Sequence, residues 1–217
     1  TQYFFKRVLT ETIKMREDHG IVRHDMVDLL LQAKKGSLIH ESKEDEKIHD
    51  GFATVEESDL AKSKVKRTWD DDDLTAQCFI FFFAGFETVS SVMSFVAYEL
   101  ICNPEVQKKL QKEIDEVAKS LNGEMITYEH IQKMKYMDMV VSETLRKWPP
   151  APIVDRLCTR DFTLEYDGKK IDFEVGRNFF IPIYSIQNDP RYFPNPKKFD
   201  PERFSDENKE KINQDAY

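Results

Sequence analysis

The segment Cys78-Phe79-Ile80-Phe81-Phe82-Phe83-Ala84-Gly85-Phe86 constrains this chain more than any other. It lies within a helix that the sequence predicts over 71–101. Four acids in a row, Asp70 to Asp73, stand at its start, where carboxylates cap free N–H groups and complement the helix dipole. A helix of about 30 residues is roughly 45 Å long. A helix that is apolar all round is either the core of a domain or a membrane span. This run has nine residues, whereas a span needs about 20. The expectation is therefore a buried central helix around which the rest is built.

The flanking sequence predicts further helices. Over 3–18, Phe4, Phe5, Val8, Leu9, Thr12 and Ile13 recur at helical spacing, and Gly20 ends the segment. A second helix is expected over 24–34. From 35 to 68 the chain is dense in Glu, Asp, Lys and Ser, which predicts a variable polar linker. Pro104 starts a helix over 104–120. A short helix follows over 127–131, and another over 134–147 with Met137, Val140, Val141 and Leu145 as its buried stripe. Eight of nine prolines lie between 149 and 201, so helix cannot dominate there. Asp167-Gly168 between 162–164 and 171–173 is a hairpin signal. Ile153-Val154 reads as extended, and 178–183 as a further strand, with proline-punctuated coil from Pro190.

Charge and cysteine usage narrow the function. A formal charge of −8 with no basic stripe argues against nucleic acid as a partner. Cys78, Cys102 and Cys158 have no metal-binding spacing and suggest reduced thiols facing the cytosol. His19 and His24 are close together in a polar turn without ligand spacing.

Three constellations carry possible chemistry. In Ala84-Gly85-Phe86-Glu87-Thr88, a helical glycine costs about 1 kcal/mol relative to alanine, and it leaves room beside the backbone for something flat. Thr88 can bond back to the Ala84 carbonyl, loosening the helix, and Glu87 beside Thr88 is suited to relaying protons. Tight helix packing and a self-satisfied threonine would explain the same residues. Glu143 and Arg146, spaced i, i+3, share one helix face and would otherwise be an ordinary surface pair. In Phe199-Asp200-Pro201-Glu202-Arg203-Phe204, an arginine between apolar anchors can dock on a buried carboxylate in two-point fashion. A capped surface turn is the alternative.

In this order and at this spacing, the three resemble the cytochrome P450 family. Asn103-Pro104-Glu105-Val106-Gln107 and Asn188-Asp189-Pro190-Arg191-Tyr192-Phe193 are similar to the family's segments after its central helix and at its meander. The resemblance is specific from about Trp69 to Tyr217 and looser over 1–68. It looks most like insect microsomal P450s that handle xenobiotics. The fold implied is mainly α with small β-sheets, here a single partial domain from the C-terminal half. Its parts are helices over 1–34, the linker over 35–68, and the central helix over 71–101. Helices ending in ExxR over 104–147, a small β region over 151–183 and a meander with PERF over 184–217 complete it.

The resemblance also implies roles. Ala84 and Gly85 would border a b-type haem, Thr88 would be the oxygen-activating alcohol, and Glu87 its acidic neighbour. Arg156 would pair with a haem propionate. Glu143, Arg146 and Arg203 would form the family's structural salt-bridged triad. Phe83, Ala84, Ala151, Ile153 and Val154 would line the substrate pocket, or simply pack a core. Lys108, Lys109, Lys112, Lys133 and Lys135 read first as a solvated helix face, and otherwise as a docking face for an acidic reductase. The implied whole is a haem-thiolate monooxygenase on the cytosolic face of the endoplasmic reticulum membrane. It would be anchored by an N-terminal segment and supplied with electrons from NADPH by cytochrome P450 reductase. It would act on a hydrophobic small molecule. The family's FxxGxRxCxG loop is absent and is expected directly after Tyr217, so this chain alone is expected to be inactive. A helical interaction module without catalysis is the competing class. A non-haem metal enzyme using Glu87 and Glu143 is another, weakened because no ExxH motif accompanies them.

Overall fold

The computed structural model describes residues 2–35, 69–213 and 216–217. The predicted linker over 35–68 lies almost wholly outside the described residues. The elements are α1 (Gln2–His19), α2 (Met26–Lys35), α3 (Asp71–Cys102), α4 (Pro104–Ser120), α5 (Tyr128–Gln132), α6 (Lys135–Lys147) and α7 (Ile183–Gln187). The strands are β1 (Val154–Leu157), β2 (Phe162–Tyr166), β3 (Lys169–Phe173) and β4 (Asn178–Ile181). They fall into two compact units. One holds α1, α2 and α3 to Ser90, and the other runs from Ser91 of the same helix through Tyr217.

In the first unit, Phe5 of α1 meets Phe79 and Phe82 of α3, with ring centroids 5.2 and 5.1 Å apart. Leu31 and Leu74 are buried there. Arg16 grips Asp25 through two hydrogen bonds of 2.8 and 2.7 Å. That grip, with a further bond from the Asp28 N–H, holds the Asp25 carboxyl down at about 2. The acid run caps α3 as predicted: the Asp73 N–H donates to Asp70 Oδ1 at 2.8 Å, and the Asp70 N–H reaches back to Asp73 Oδ2.

The expected burial of the central helix does not hold for its apolar middle. Phe81, Phe82, Phe83 and Phe86 are each more than half exposed. A helix that is apolar on all faces needs neighbours on all faces. Among the described residues of its unit, the ring contacts on this stretch come from one side, through Phe5. By length and composition α3 is also long and apolar enough to cross a membrane, with a mean hydropathy of 1.7 over its best 18 residues. The nine-residue run understated that window, because Val89, Val92 and Met93 extend it.

The second unit has a core of Leu110 from α4, Val140 from α6 and Phe199 from the meander. Val96, Leu100, Val106, Ile114, Tyr136 and Met137 pack on it. The sheets are two antiparallel pairs. β1 pairs with β4, with Arg156 opposite Phe179, and β2 pairs with β3 as the predicted hairpin. Asp167 and Gly168 both have positive φ, 49° and 71°, the geometry a two-residue hairpin turn needs. The strand predicted over 178–183 stops at Ile181. Pro182 supplies no N–H to continue a ladder and instead precedes α7. The meander contains a 3-10 turn, Pro201–Phe204.

The stripe predicted for α6 is corrected in an instructive way. Val140 is fully buried, but Met137, Val141 and Leu145 are only partly so, and the fully buried face also carries Ser142, Glu143, Thr144 and Arg146. Periodicity of apolar residues cannot register a face that is polar and internally paired. The start of α6 is held by a neighbour: the Glu113 carboxylate of α4 accepts the Tyr136 and Met137 N–H groups at 2.8 and 2.9 Å. This is an N-cap delivered from another helix. Glu113→Ala is expected to cost about 1–2 kcal/mol, read as a lower denaturant midpoint with unchanged m-value.

Candidate functional site

Glu143 and Arg146 are both 0% exposed. Three residues of helix separation put the two side chains one above the other, and the guanidinium lies along the carboxylate. Arg146 Nε donates to Glu143 Oε2 at 2.7 Å, and Nη2 donates to Oε1 at 3.0 Å. The remaining donors reach the meander. Nη1 meets the Gln187 carbonyl and Nη2 the Pro196 carbonyl, each at 2.8 Å. The Phe193 ring lies 5.3 Å from the guanidinium carbon. Glu143 Oε1 also accepts the Asp200 N–H at 2.9 Å.

Arg203 joins this cluster, but not in the manner expected. Its Nε stands 3.4 Å from Glu143 Oε1 without hydrogen-bond geometry, while its Nη2 donates to the Asn195 carbonyl at 2.9 Å. The two-point docking belongs to Arg146, which already fills the in-plane side of the carboxylate. Two cations on one anion leave the cluster at +1, balanced by backbone carbonyls.

A second buried carboxylate escaped the sequence reading. Glu99, near the end of α3, is 1% exposed. It accepts the Trp148 indole N–H at 2.8 Å and pairs with Lys147 Nζ at 2.8 Å. The only hint was a glutamate on an otherwise apolar helix turn, four residues before Asn103.

The other predicted residues lie elsewhere. Phe83, Ala84, Gly85, Glu87 and Thr88 sit on the exposed middle of α3. The Thr88 hydroxyl donates to the Ala84 carbonyl, as expected. A Cβ at Gly85 would meet nothing within 4 Å, so in this structure the glycine keeps an open strip of helix rather than a tight packing contact. Ala151 and Ile153 are exposed and Val154 is half-buried. Arg156 is exposed on β1 and donates to the Asp155 carbonyl at 2.7 Å. Lys108, Lys109, Lys112 and Lys135 pair with Glu105, Glu202, Glu116 and Asp206, the behaviour of a solvated face, and Lys133 is exposed.

The cysteines are unpaired thiols. Burial pushes the Cys78 thiol up, and buried Cys158 donates its S–H to the Arg160 carbonyl at 3.0 Å. A metal ligand must be a thiolate, so these two are poorly prepared for iron. Among the described residues no group of three His, Cys, Asp or Glu side chains is placed to hold a metal, and Glu87 and Glu143 do not form one.

A long helix bearing AGFET, a buried ExxR pair and a PERF turn against the same carboxylate are the features on which the resemblance to the cytochrome P450 family rests. The comparisons agree. The family model "Cytochrome P450" matches residues 1–217. The chain is 45% identical over its whole length to probable cytochrome P450 9f2 of Drosophila melanogaster. It is 46% identical over 99% of its length to cytochrome P450 9e2 of Blattella germanica, and 41% identical over 96% to cytochrome P450 6k1 of that species. It spans 38%, 37% and 38% of those relatives. The chain belongs to the cytochrome P450 family.

Two outcomes test the cluster. Glu143→Ala strands two cations in the interior and is expected to destabilise by roughly 3–5 kcal/mol. Arg203→Ala removes a partly exposed partner at longer range and should cost far less, about 1 kcal/mol. Denaturant titration of both variants checks the order. Tyr217 gives a pH test. Its hydroxyl donates to the Ser142 carbonyl at 3.1 Å, and burial pushes it up to about 12. The folded chain therefore holds this proton more tightly than the unfolded one. The contribution is complete below about pH 10 and is lost as pH rises to about 12. Phenolate absorbance and stability in Tyr217→Phe check it: the variant should lack this part of the alkaline loss.

Proposed function

We propose that the whole protein carrying this sequence is a haem-thiolate monooxygenase that inserts one oxygen atom of dioxygen into a hydrophobic small molecule. The observation that carries the reading is the buried Glu143–Arg146 pair with Arg203 on the same carboxylate, in a chain of the cytochrome P450 family. When bound, a b-type haem supplies the redox chemistry of oxygen activation. The residues present suit its edges. Ala84 and Gly85 offer a strip of α3 without bulky side chains. The Arg156 guanidinium, with one donor on its own strand, has further donors for a propionate carboxylate.

Thr88 and Glu87 then act as the proton route. The Thr88 hydroxyl donates to Ala84 here. To pass a proton toward a bound haem, the hydroxyl would rotate off that carbonyl and be re-supplied from Glu87 and solvent. An alcohol suits the task because it donates and accepts at once, and positioned proton transfer contributes on the order of 10²–10⁴-fold. Phe83, Ala84, Ala151, Ile153 and Val154 supply apolar surface for the substrate. Glu143, Arg146 and Arg203 support the fold rather than the chemistry.

NADPH would deliver electrons through a reductase, and the whole protein would sit on the cytosolic face of the endoplasmic reticulum membrane, acting on xenobiotics. The three unpaired thiols suit a reducing compartment. None of Cys78, Cys102 and Cys158 is assigned to the iron. Residues 1–217 alone are therefore expected to lack monooxygenase activity.

The test is the carbon monoxide spectrum of the reduced whole protein. A Soret band of the thiolate-ligated type is expected, and it should persist when Cys78, Cys102 and Cys158 are all replaced by Ser. Loss of the band in that variant, with haem still bound, would overturn the assignment of the ligand.

A further inference from the structure

Between α6 and β1 the chain runs through Pro149-Pro150-Ala151-Pro152-Ile153, wholly within the second unit. Each of the three prolines has its φ fixed by its ring. The residue before a proline is confined toward extended conformations, which restricts Trp148, Pro149 and Ala151 as well. Little torsional freedom is left between the end of the helix and the start of the strand. The course of the segment is therefore set by how its two ends are held.

At the far end, the Tyr184 N–H of α7 donates to the Pro152 carbonyl at 3.1 Å, and the β1–β4 ladder opens with Val154 opposite Ile181. The near end is Trp148. Its backbone N–H donates to the Thr144 carbonyl at 2.8 Å, closing α6. Its ring stacks on Phe95 with centroids 4.7 Å apart, and the Tyr98 ring meets it edge-on at 6.2 Å. The indole N–H donates to Glu99 Oε1 at 2.8 Å. That carboxylate is almost wholly buried, and Lys147 Nζ and the Asn103 carboxamide hold it in turn. Stacking alone lets an indole slide and turn in its own plane. A hydrogen bond at Nε1 is directional and stops that motion. With the Trp148 nitrogen held by Thr144 and its Cβ held through the ring, one direction remains for the chain to leave toward Pro149.

Ala151 and Ile153 are both exposed, so the backbone on either side of them sets their position. We propose that Trp148, locked by Glu99, is a positioning residue that sets where the 149–153 segment presents Ala151 and Ile153, and so which apolar ligands fit against them. The proposal rests on the reading above that these two side chains supply surface for the substrate.

The experiment uses the whole haem-loaded protein and two readouts. The first is hydrogen exchange at the Tyr184 amide, the far anchor of the segment. The Ile186 amide, which donates to the Pro182 carbonyl within α7, serves as the internal reference. The second is the ratio of affinities for N-phenylimidazole and imidazole, followed by the shift of the Soret band. Both bind the iron through the same kind of ring nitrogen, so the ratio reports what the phenyl group meets. Trp148→Phe keeps a ring on Phe95 and deletes the N–H. It is expected to speed Tyr184 exchange about fivefold relative to Ile186 and to change the affinity ratio about fivefold. Glu99→Gln keeps an acceptor for the indole and should stay within about twofold of the parent on both. If Trp148→Phe does not bind haem, the benzothienyl analogue of tryptophan at position 148 decides, since it replaces the N–H by sulfur in nearly the same shape. A parent-like value of either readout in whichever of these binds haem overturns the proposal. Ile153→Ala separates the two readings. If it leaves the affinity ratio unchanged, the substrate surface is misassigned and this proposal fails with it. If it changes the ratio while Trp148→Phe does not, the positioning role alone is wrong.

Discussion

The second unit depends on one carboxylate. Glu143 is fully buried, and every group that faces it belongs to a different piece of the chain: Arg146 from its own helix, the Asp200 N–H from the meander, and Arg203 from the turn after it. Desolvating an acid is costly, and a bidentate guanidinium in a low-dielectric interior offsets that cost only when the remaining donors are also satisfied. Here they are, by the Gln187 and Pro196 carbonyls. These carbonyls are the reason the proline-rich segment has a fixed course. Coil between Pro190 and Pro201 has no ladder of its own to hold it. It is ordered by presenting backbone to a cation that must be satisfied.

Phe193 and Phe199 then close the cluster from outside. Phe193 lies against the Arg146 guanidinium, and Phe199 belongs to the apolar core with Leu110 and Val140. The polar cluster and the hydrophobic core are therefore adjacent faces of one assembly, with α6 as the shared wall. Val140 points into one and Glu143 into the other. That division explains why α6 is the most buried helix described although its mean hydrophobic character is low.

Much of this was legible from residue order. The acid run before α3, the Asp167-Gly168 turn, Pro104 at the start of α4 and the i, i+3 spacing of Glu143 and Arg146 each specify local geometry through short-range rules, and each holds. The failures share a cause. The apolar run of α3 says that a surface wants covering, but not what covers it, so Phe83 and Phe86 were assigned to a core when they are exposed. Glu99 and Glu113 carry no local signal of their roles, because their partners, Trp148 and the Tyr136 N–H, lie 49 and 23 residues away. Sequence periodicity registers apolar burial. It does not register a buried charge whose partner is distant in the chain.

Three acids of the second unit, Glu99 and Glu143 buried and Glu113 half-buried, do the same physical work at three distances. Glu113 satisfies the two N–H groups that open α6, Glu143 satisfies the meander at its middle, and Glu99 receives Trp148 just past its end. Each carboxylate replaces water for donors that the fold has taken out of solvent, and an unpaired donor at any of them would cost about 1–3 kcal/mol. α6 is therefore fixed in axial position, in rotation and at both termini by polar contacts with strict geometry. Hydrophobic packing alone, being non-directional, would fix none of these as tightly. The acids on α3, α4 and α6 are how this chain sets α6 by hydrogen bonds.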